Sequence, residues 1–128
     1  MKIDFSVFVL AKDCGEVLKF ASVYEIQKEL ESQDIENREY DAWDCNGLPL
    51  NLKVQPPVWL NIEAQSSEPQ LGRLAEALKK YGSTVGVEVK IEKMTAAEFN
   101  RVFHQISSYA EKQSTSKGIL RRIIRRRR

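Results

Sequence analysis

The sequence has few of the residues from which metal sites and disulfide frameworks are built. Its two cysteines, Cys14 and Cys45, and its one histidine, His104, stand at separations that match no zinc-ligand spacing. Both cysteines fall in expected turns, where we predict reduced thiols that are open to thiol reagents. The sequence therefore predicts no metal site and no disulfide.

Common catalytic and nucleotide-binding motifs are missing as well. The six glycines stand singly, so the sequence contains no glycine-rich phosphate loop, no nucleophile elbow and no His-Glu-x-x-His motif. No carboxylate stands within one helical turn of His104, so nothing positions this side chain as a general base. We predict no catalytic residue and no cofactor, although a site made only of carboxylates leaves little signature in a sequence.

Long apolar runs are also missing. No run approaches the roughly 20 residues that a membrane span requires. The start of the chain, Met1 to Val7, alternates like a strand and does not resemble a signal peptide. These observations predict a cytoplasmic protein. Residues 34–44 are similar in composition to small bacterial proteins, a similarity that implies no activity.

The signals that are present are periodic. Alternating apolar residues predict six strands, at 2–11, 17–21, 38–44, 48–54, 58–64 and 85–91. Apolar stripes at helical spacing predict three helices, which begin after Ser22, Ser67 and Thr95. We therefore predict a single α+β domain over residues 1–111, in which three helices pack on one mixed sheet of two hairpins and one parallel βαβ unit. Residues 112–128 are predicted to be a flexible, disordered basic tail.

Short-range signals place the ends of these elements. Each helix-capping Ser or Thr is followed three positions later by Glu or Gln, the pattern of a capping box. Gly82 is expected to end the second helix, and Asn46-Gly47 to form the turn of the second hairpin. Pro49 lacks an amide donor, which favours an edge position for its strand.

Charge is divided unevenly along the chain. The net charge is +2, yet residues 117–128 hold seven basic side chains and no acid, which leaves a net charge of −5 on the first 116 residues. Residues 25–44 alone carry a net charge of −6. The sequence therefore presents an acidic body and a basic tail, two surfaces that attract different partners.

The acidic segment, residues 25–44, is the first candidate site. It has three interpretations: a solvated helix face and loop, a docking surface for a basic protein, or a divalent-cation site that lacks the order of a calcium loop. Trp43 and Trp59 stand at strand positions without a clean inward face, so that face is either covered by a helix, which we expect, or an exposed apolar patch. The candidate partner-binding residues are Glu31, Asp34, Glu36, Glu39, Asp41, Asp44, Trp43 and Trp59.

The basic tail is the second candidate site. A helix over residues 119–126 would have isoleucine and leucine on one face and arginine on the other, a pattern suited to an anionic membrane surface. The same cations suit the phosphate backbone of a nucleic acid, and a run of like charges is also typical of a solvated tail. The candidate anion-contacting residues are Lys117, Arg121, Arg122, Arg125, Arg126, Arg127 and Arg128.

These features favour a small non-enzymatic binding or regulatory module that acts through the acidic segment and the basic tail. The first alternative is an accessory protein that associates with nucleic acid through the arginine-rich tail. The second is a small enzyme with a carboxylate-based site. The expected partners are a basic protein and, through the tail, nucleic acid or an anionic membrane surface, while the oligomeric state is not predicted.

Overall fold

A computed structural model describes residues 6–55 and 58–113, without the side chains of Val58, Trp59 and Gln113. Five strands and four helices lie within these ranges. In chain order they are β1 (Val7–Ala11), β2 (Val17–Phe20), α1 (Val23–Glu29), α2 (Ser32–Glu36), β3 (Tyr40–Asp44), β4 (Pro49–Gln55), β5 (Val58–Ala64), α3 (Leu71–Val85) and α4 (Ala96–Gln113).

The five strands form one sheet in the order β2-β1-β3-β4-β5, with every neighbouring pair antiparallel. The α+β class and both hairpins are confirmed, and Gly47 has the positive φ of 83° that the second turn was expected to need. The mixed sheet of about six strands is wrong, because the sixth predicted strand does not join the sheet. The expected parallel crossover from Val58 to Ile91 is therefore wrong as well.

Two hydrophobic clusters lie on opposite faces of the sheet. Because side chains alternate along a strand, Val7 and Val9 point to the face covered by α1 and α2, whereas Phe8 points to the face covered by α3 and α4. Trp43 lies opposite Phe8 across the β1–β3 pair and shares its face. Helices thus cover the second face of these strands, as expected.

Helix α1 packs against both outermost strands, β2 and β5. On a flat sheet, four inter-strand spacings would separate these strands by roughly 19 Å. A seven-residue helix is only about 10 Å long, so the sheet must curve around α1. Ile26 and Leu30 lie in the resulting cluster and are fully buried or nearly so.

The other face of the β4–β5 hairpin is polar. Lys53 and Glu63 form an ion pair of 3.0 Å, and the Gln65 side-chain amide donates to Asn51 Oδ1 at 2.7 Å. No β4 or β5 side chain in the described ranges belongs to the cluster under α3 and α4. Pro49 begins β4, which lies inside the sheet, so the predicted edge position is wrong. A proline is tolerated there because the first residue of a strand can do without a ladder donor.

Two of the three predicted helix starts are confirmed. Ser22 Oγ accepts from the Glu25 N–H at 3.2 Å, and Thr95 Oγ1 accepts from the Glu98 N–H at 3.2 Å. The capping role of Ser67 is wrong, since α3 starts after Gln70, which makes no side-chain capping bond.

The predicted end of α3 is also wrong. The helix passes through Gly82 and ends at Gly86, where the φ is 95°. The Val87 N–H donates to the Gly82 C=O at 2.8 Å and the Gly86 N–H to the Ser83 C=O at 3.2 Å, which is the Schellman pattern of a helix end. Gly82 is needed for close packing instead, because a Cβ there would lie 2.8 Å from the Val87 carbonyl oxygen.

The strand expected at residues 85–91 is wrong: Val85 belongs to α3, and residues 87–92 alternate as a strand does but pair with no described strand. Val87, Val89 and Ile91 pack against the α3–α4 cluster, while the three residues between and after them are exposed. Side chains of α4 bind this segment's backbone: Arg101 Nη2 donates to the Lys90 C=O at 3.1 Å, and the Glu92 N–H donates to Glu98 Oε2 at 3.0 Å.

Arg101 and Glu98 also bind each other. Two hydrogen bonds of 2.8 and 2.9 Å join the guanidinium to the carboxylate. The bond from Arg101 and the backbone bond from Glu92 lower the pKa of Glu98 from 4.5 to about 2. The pair therefore stays charged at any ordinary pH and keeps the segment against α4.

Helix α4 extends to Gln113, past the predicted domain end at residue 111. The predicted disordered tail lies outside the described ranges from residue 114 onward, so its disorder stays a prediction.

The two glycines of α3 give a matched test of its packing. Gly82→Ala should lower the free energy of unfolding by about 1–3 kcal/mol, because the added methyl group meets the Val87 carbonyl. Gly72→Ala meets no atom within 4 Å and should raise it by about 0.5 kcal/mol through helix propensity. Urea denaturation measures both, and equal effects would contradict the close approach.

The two thiols should differ in reactivity, contrary to the expectation that both are open. Neither is in a disulfide, but Cys14 is half-buried whereas Cys45 is 9% exposed and packs in the α3–α4 cluster. We expect maleimide to label Cys14 first in the native protein, and both at similar rates in urea. Mass spectrometry after timed quenching distinguishes the sites, and faster labelling of Cys45 would contradict its burial.

Candidate functional site

The acidic segment folds around a short helix that periodicity alone did not reveal. Helix α1 ends at Glu29, and α2 occupies Ser32–Glu36 as a separate helix. Ile35 anchors α2 in the cluster beneath, where it is 4% exposed. Glu31 precedes α2 and Glu39 follows it, so the turn of the helix brings the acidic side chains together.

An arginine closes α2 where a glycine is usual. Arg38 has a φ of 57°, the left-handed conformation that L-residues rarely adopt. Its N–H donates to the Ile35 C=O at 3.0 Å, and the Glu39 N–H donates to the Asp34 C=O at 3.1 Å. This is the same Schellman pattern that Gly86 completes at the end of α3. The sharp turn at Arg38 directs the chain back so that Glu39 lies beside Asp34.

Three carboxylates are close enough to influence one another. Partial burial is the largest cause that raises the pKa of Glu39 above its ordinary 4.5, followed by the charge of Asp34, a hydrogen bond with Asp34 and the charge of Glu31. A hydrogen bond with Asn37 opposes these effects. We call Glu31, Asp34 and Glu39 the acidic cluster. Glu36 is more exposed than its members and completes the acidic surface of α2.

Two other predicted site residues have local partners. Asp41 pairs with Lys12 across a distance of 3.4 Å. Asp44 is 2% exposed, and its Oδ1 accepts from the N–H groups of Asn46 at 2.9 Å and Leu48 at 3.0 Å. This carboxylate organises the β3–β4 turn, so its assignment to a partner surface is corrected.

The tryptophan assignments change in a similar way. Trp43 is 3% exposed within the α3–α4 cluster, so it is part of the core and does not reach a partner. Trp59 lies in β5 with its side chain outside the description. Lys117 and the six tail arginines lie beyond the described ranges, and their contacts stay predictions.

Within residues 6–55 and 58–113, no group of three or more His, Cys, Asp or Glu side chains could hold a metal ion. An open groove of about 530 Å³ runs beside β2 between α1 and α4, and His104 lies on its rim among side chains of both charges. None of the helices described is both long and apolar enough to cross a bilayer.

Comparison of the chain with protein-family models, curated proteins and solved structures gives no match. Its class is therefore set by its own architecture: an α+β protein with helices on both faces of a curved antiparallel sheet and an acidic cluster around α2. Charge composition pointed to this segment. The positive φ at Arg38 had no signal in the sequence.

Substitution of Arg38 separates backbone strain from charge. Arg38→Gly relieves the left-handed conformation, whereas Arg38→Ala removes the same charge and keeps the strain. We expect the glycine variant to be more stable than the alanine variant by about 1 kcal/mol. Thermal or urea unfolding measures the difference, and equal stabilities would show that residue 38 is unstrained in solution.

Proposed function

We propose that this protein is a non-enzymatic binding module of the cytoplasm whose acidic cluster docks a basic protein. The observation that carries the proposal is the turn at Arg38, which brings Glu39 back beside Asp34 at the surface of α2. Like charges at short range repel, and a cationic side chain placed between them relieves that repulsion. The same charges speed the approach of a basic partner over a distance of about a Debye length.

The raised pKa of Glu39 means that its charged form lowers the stability of the folded state, an effect that binding of a cation can remove. A raised pKa means that the folded state holds the proton more tightly than the unfolded state does. The charged form of Glu39 therefore lowers stability at neutral pH, first because it is partly buried and then because Asp34 is charged. This loss is relieved as the pH falls towards the pKa of Glu39. A bound cation would relieve it without a proton, so binding should lower the pKa of Glu39.

The basic tail forms the second part of the proposal. Seven cations within twelve residues support contact with an anionic partner. One candidate partner is the phosphate backbone of a nucleic acid, and another is an anionic membrane surface. A nucleic-acid accessory role depends on this segment because the rest of the chain is acidic. An enzyme with a carboxylate site would draw on the acidic cluster and stays an alternative.

A peptide of eight lysines tests the acidic cluster. We expect it to bind the full chain, with the largest amide shifts at residues 31–39, and Asp34→Asn with Glu39→Gln to weaken binding about tenfold. NMR titration at low salt measures both effects. About 1 M salt should abolish the interaction, since exposed ion pairs are screened.

The matched control is Glu68→Gln with Glu76→Gln, which removes the same charge from exposed positions outside residues 25–44. This variant should bind the peptide almost as the natural chain does. Equal losses in the two variants would mean that net charge alone drives binding, and the acidic cluster would then have no special role.

Deletion of residues 117–128 tests the tail. The truncated chain has a net charge of −5, so retention on heparin at low salt should be lost while the melting temperature changes little. A heparin column and a thermal melt on the same preparations measure both. If the truncated chain is still retained, the anion-binding site lies in the first 116 residues, although their net charge is negative.

A further inference from the structure

Strand β2 forms one end of the sheet, and half of its backbone groups face away from the sheet. Within the described ranges it pairs only with β1. The Ala11 N–H donates to the Glu16 C=O at 2.9 Å, one residue before β2 begins. Because backbone groups alternate in direction along a strand, every second residue from Glu16 onward points its N–H and C=O to β1. The N–H and C=O groups of Val17 and Lys19, which we call the β2 edge, therefore point away from the sheet.

Hydrogen bonds mark the two ends of the β2 edge. The Gly15 N–H donates to the Ala11 C=O at 2.8 Å before the strand, and the Ala21 N–H donates to Glu25 Oε1 at 2.8 Å after it. Between these positions, the groups of the β2 edge bond to no residue of the described ranges. Unpaired groups of this kind are the usual template on which another strand is added.

The β2 edge lies at the floor of the groove between α1 and α4. All four residues of β2 line this groove, and the two helices form its walls because they pack on opposite faces of the sheet. A single extended chain can enter between the walls. The edge of a second copy carries the same two helices, which would meet α1 and α4 before the strands reach the spacing of about 4.8 Å of a paired sheet. The groove therefore favours a lone strand over a second copy.

The chain itself continues from one wall of this groove. Phe103, Ser107 and Glu111 line the groove, so the last turns of α4 run along it. Helix α4 ends at Gln113, and six more residues of extended chain span up to about 20 Å. Strand β2, with four residues, is only about 13 Å long. Residues 119–124 are therefore within reach of the whole β2 edge.

The sequence of residues 119–124 suits both walls. It reads Ile-Leu-Arg-Arg-Ile-Ile, and isoleucine is among the residues most enriched in strands. Alternate side chains of a strand point to opposite faces, so each face would have two apolar residues with an arginine between them. Half-buried apolar side chains wait on both sides, Leu18 on the α1 side and Phe103 on the α4 side. The arginines reach the rim, where side chains of both charges stand.

We propose that residues 119–124 of the chain's own tail pair with the β2 edge as an added strand of the sheet. The N–H groups of Val17 and Lys19 donate to C=O groups of the tail, and their C=O groups accept from N–H groups of the tail. The apolar residues of the tail cover Leu18 and Phe103. A docking equilibrium of about three to one adds little to stability. Deletion of residues 117–128 therefore still leaves the melting temperature almost unchanged.

This docking goes beyond the proposed function and uses a different part of the surface from the acidic cluster. Heparin retention depends on the charges of the tail, whereas docking depends on its backbone and its apolar residues, so either inference can fail alone. Docking would also correct the expectation that the whole tail is disordered, since residues 119–124 would be ordered in most molecules.

Amide hydrogen exchange in the full chain, measured by NMR, tests the docking. With about three molecules in four docked, the two amides of the β2 edge should exchange about fourfold more slowly than in the chain without residues 117–128. Leu120→Pro with Ile123→Pro should abolish this difference, because one of these two residues faces β2 in either register and proline lacks the donor. The matched control is Ser114→Pro with Ser116→Pro, which lies before the pairing stretch and should keep the slow exchange.

Substitutions of Lys19 test the same contact from the β2 edge. Lys19→Pro removes an N–H that β1 does not use, which an edge strand tolerates, and it should return the Val17 amide to fast exchange. Lys19→Ala loses the same charge but keeps the N–H, so Val17 should stay slow. Equal exchange in the full and truncated chains, or slow exchange despite the Leu120 and Ile123 prolines, would overturn the proposal. Protection that increases with protein concentration would also overturn it, in favour of a tail that docks on a second copy.

Discussion

The burial of β1 on both faces is the constraint on which the rest of the structure depends. Val7, Phe8 and Val9 are each 0% exposed, although neighbouring side chains point in opposite directions. A strand of this kind needs a layer of helices on each side, and it holds β2 and β3 at its two edges. The Phe8–Phe103 contact, with ring centroids 5.7 Å apart, ties the α3–α4 layer to this strand. Removing either layer would expose half of the most buried strand in the sheet.

Much of the fold could be predicted from local patterns, and the errors share one cause. The hairpins, the stripes of α3 and α4 and two of the capping boxes follow from short-range periodicity, which the structure keeps. Residues 87–92 also alternate, but alternation reports only that one face is buried. Their apolar face meets helices and not a sheet, and no local pattern distinguishes these surroundings. The helix end predicted at Gly82 was wrong for a similar reason, since the sequence does not distinguish a glycine needed for close packing from one that ends a helix.

The candidate site was predictable in position but not in shape. Eight carboxylates between residues 25 and 44 identify the segment, yet they do not show which of them meet. That depends on the turn after α2, which Arg38 makes against its own conformational preference. Asp44 shows the opposite case, in which a carboxylate counted as surface charge is buried to hold a turn. Composition gives the number of charges, but the path of the backbone decides which carboxylates lie at the surface and which hold a turn.

The contact of α1 with both β2 and β5 has a consequence for how the molecule opens. These strands stand at opposite ends of the sheet, and parts of a protein that share no contacts can open separately. Here the departure of either one uncovers the same cluster around Ile26 and loosens the helix that holds the other. We therefore expect β2 and β5 to open together in one local unfolding event, although they lie at opposite edges of the sheet.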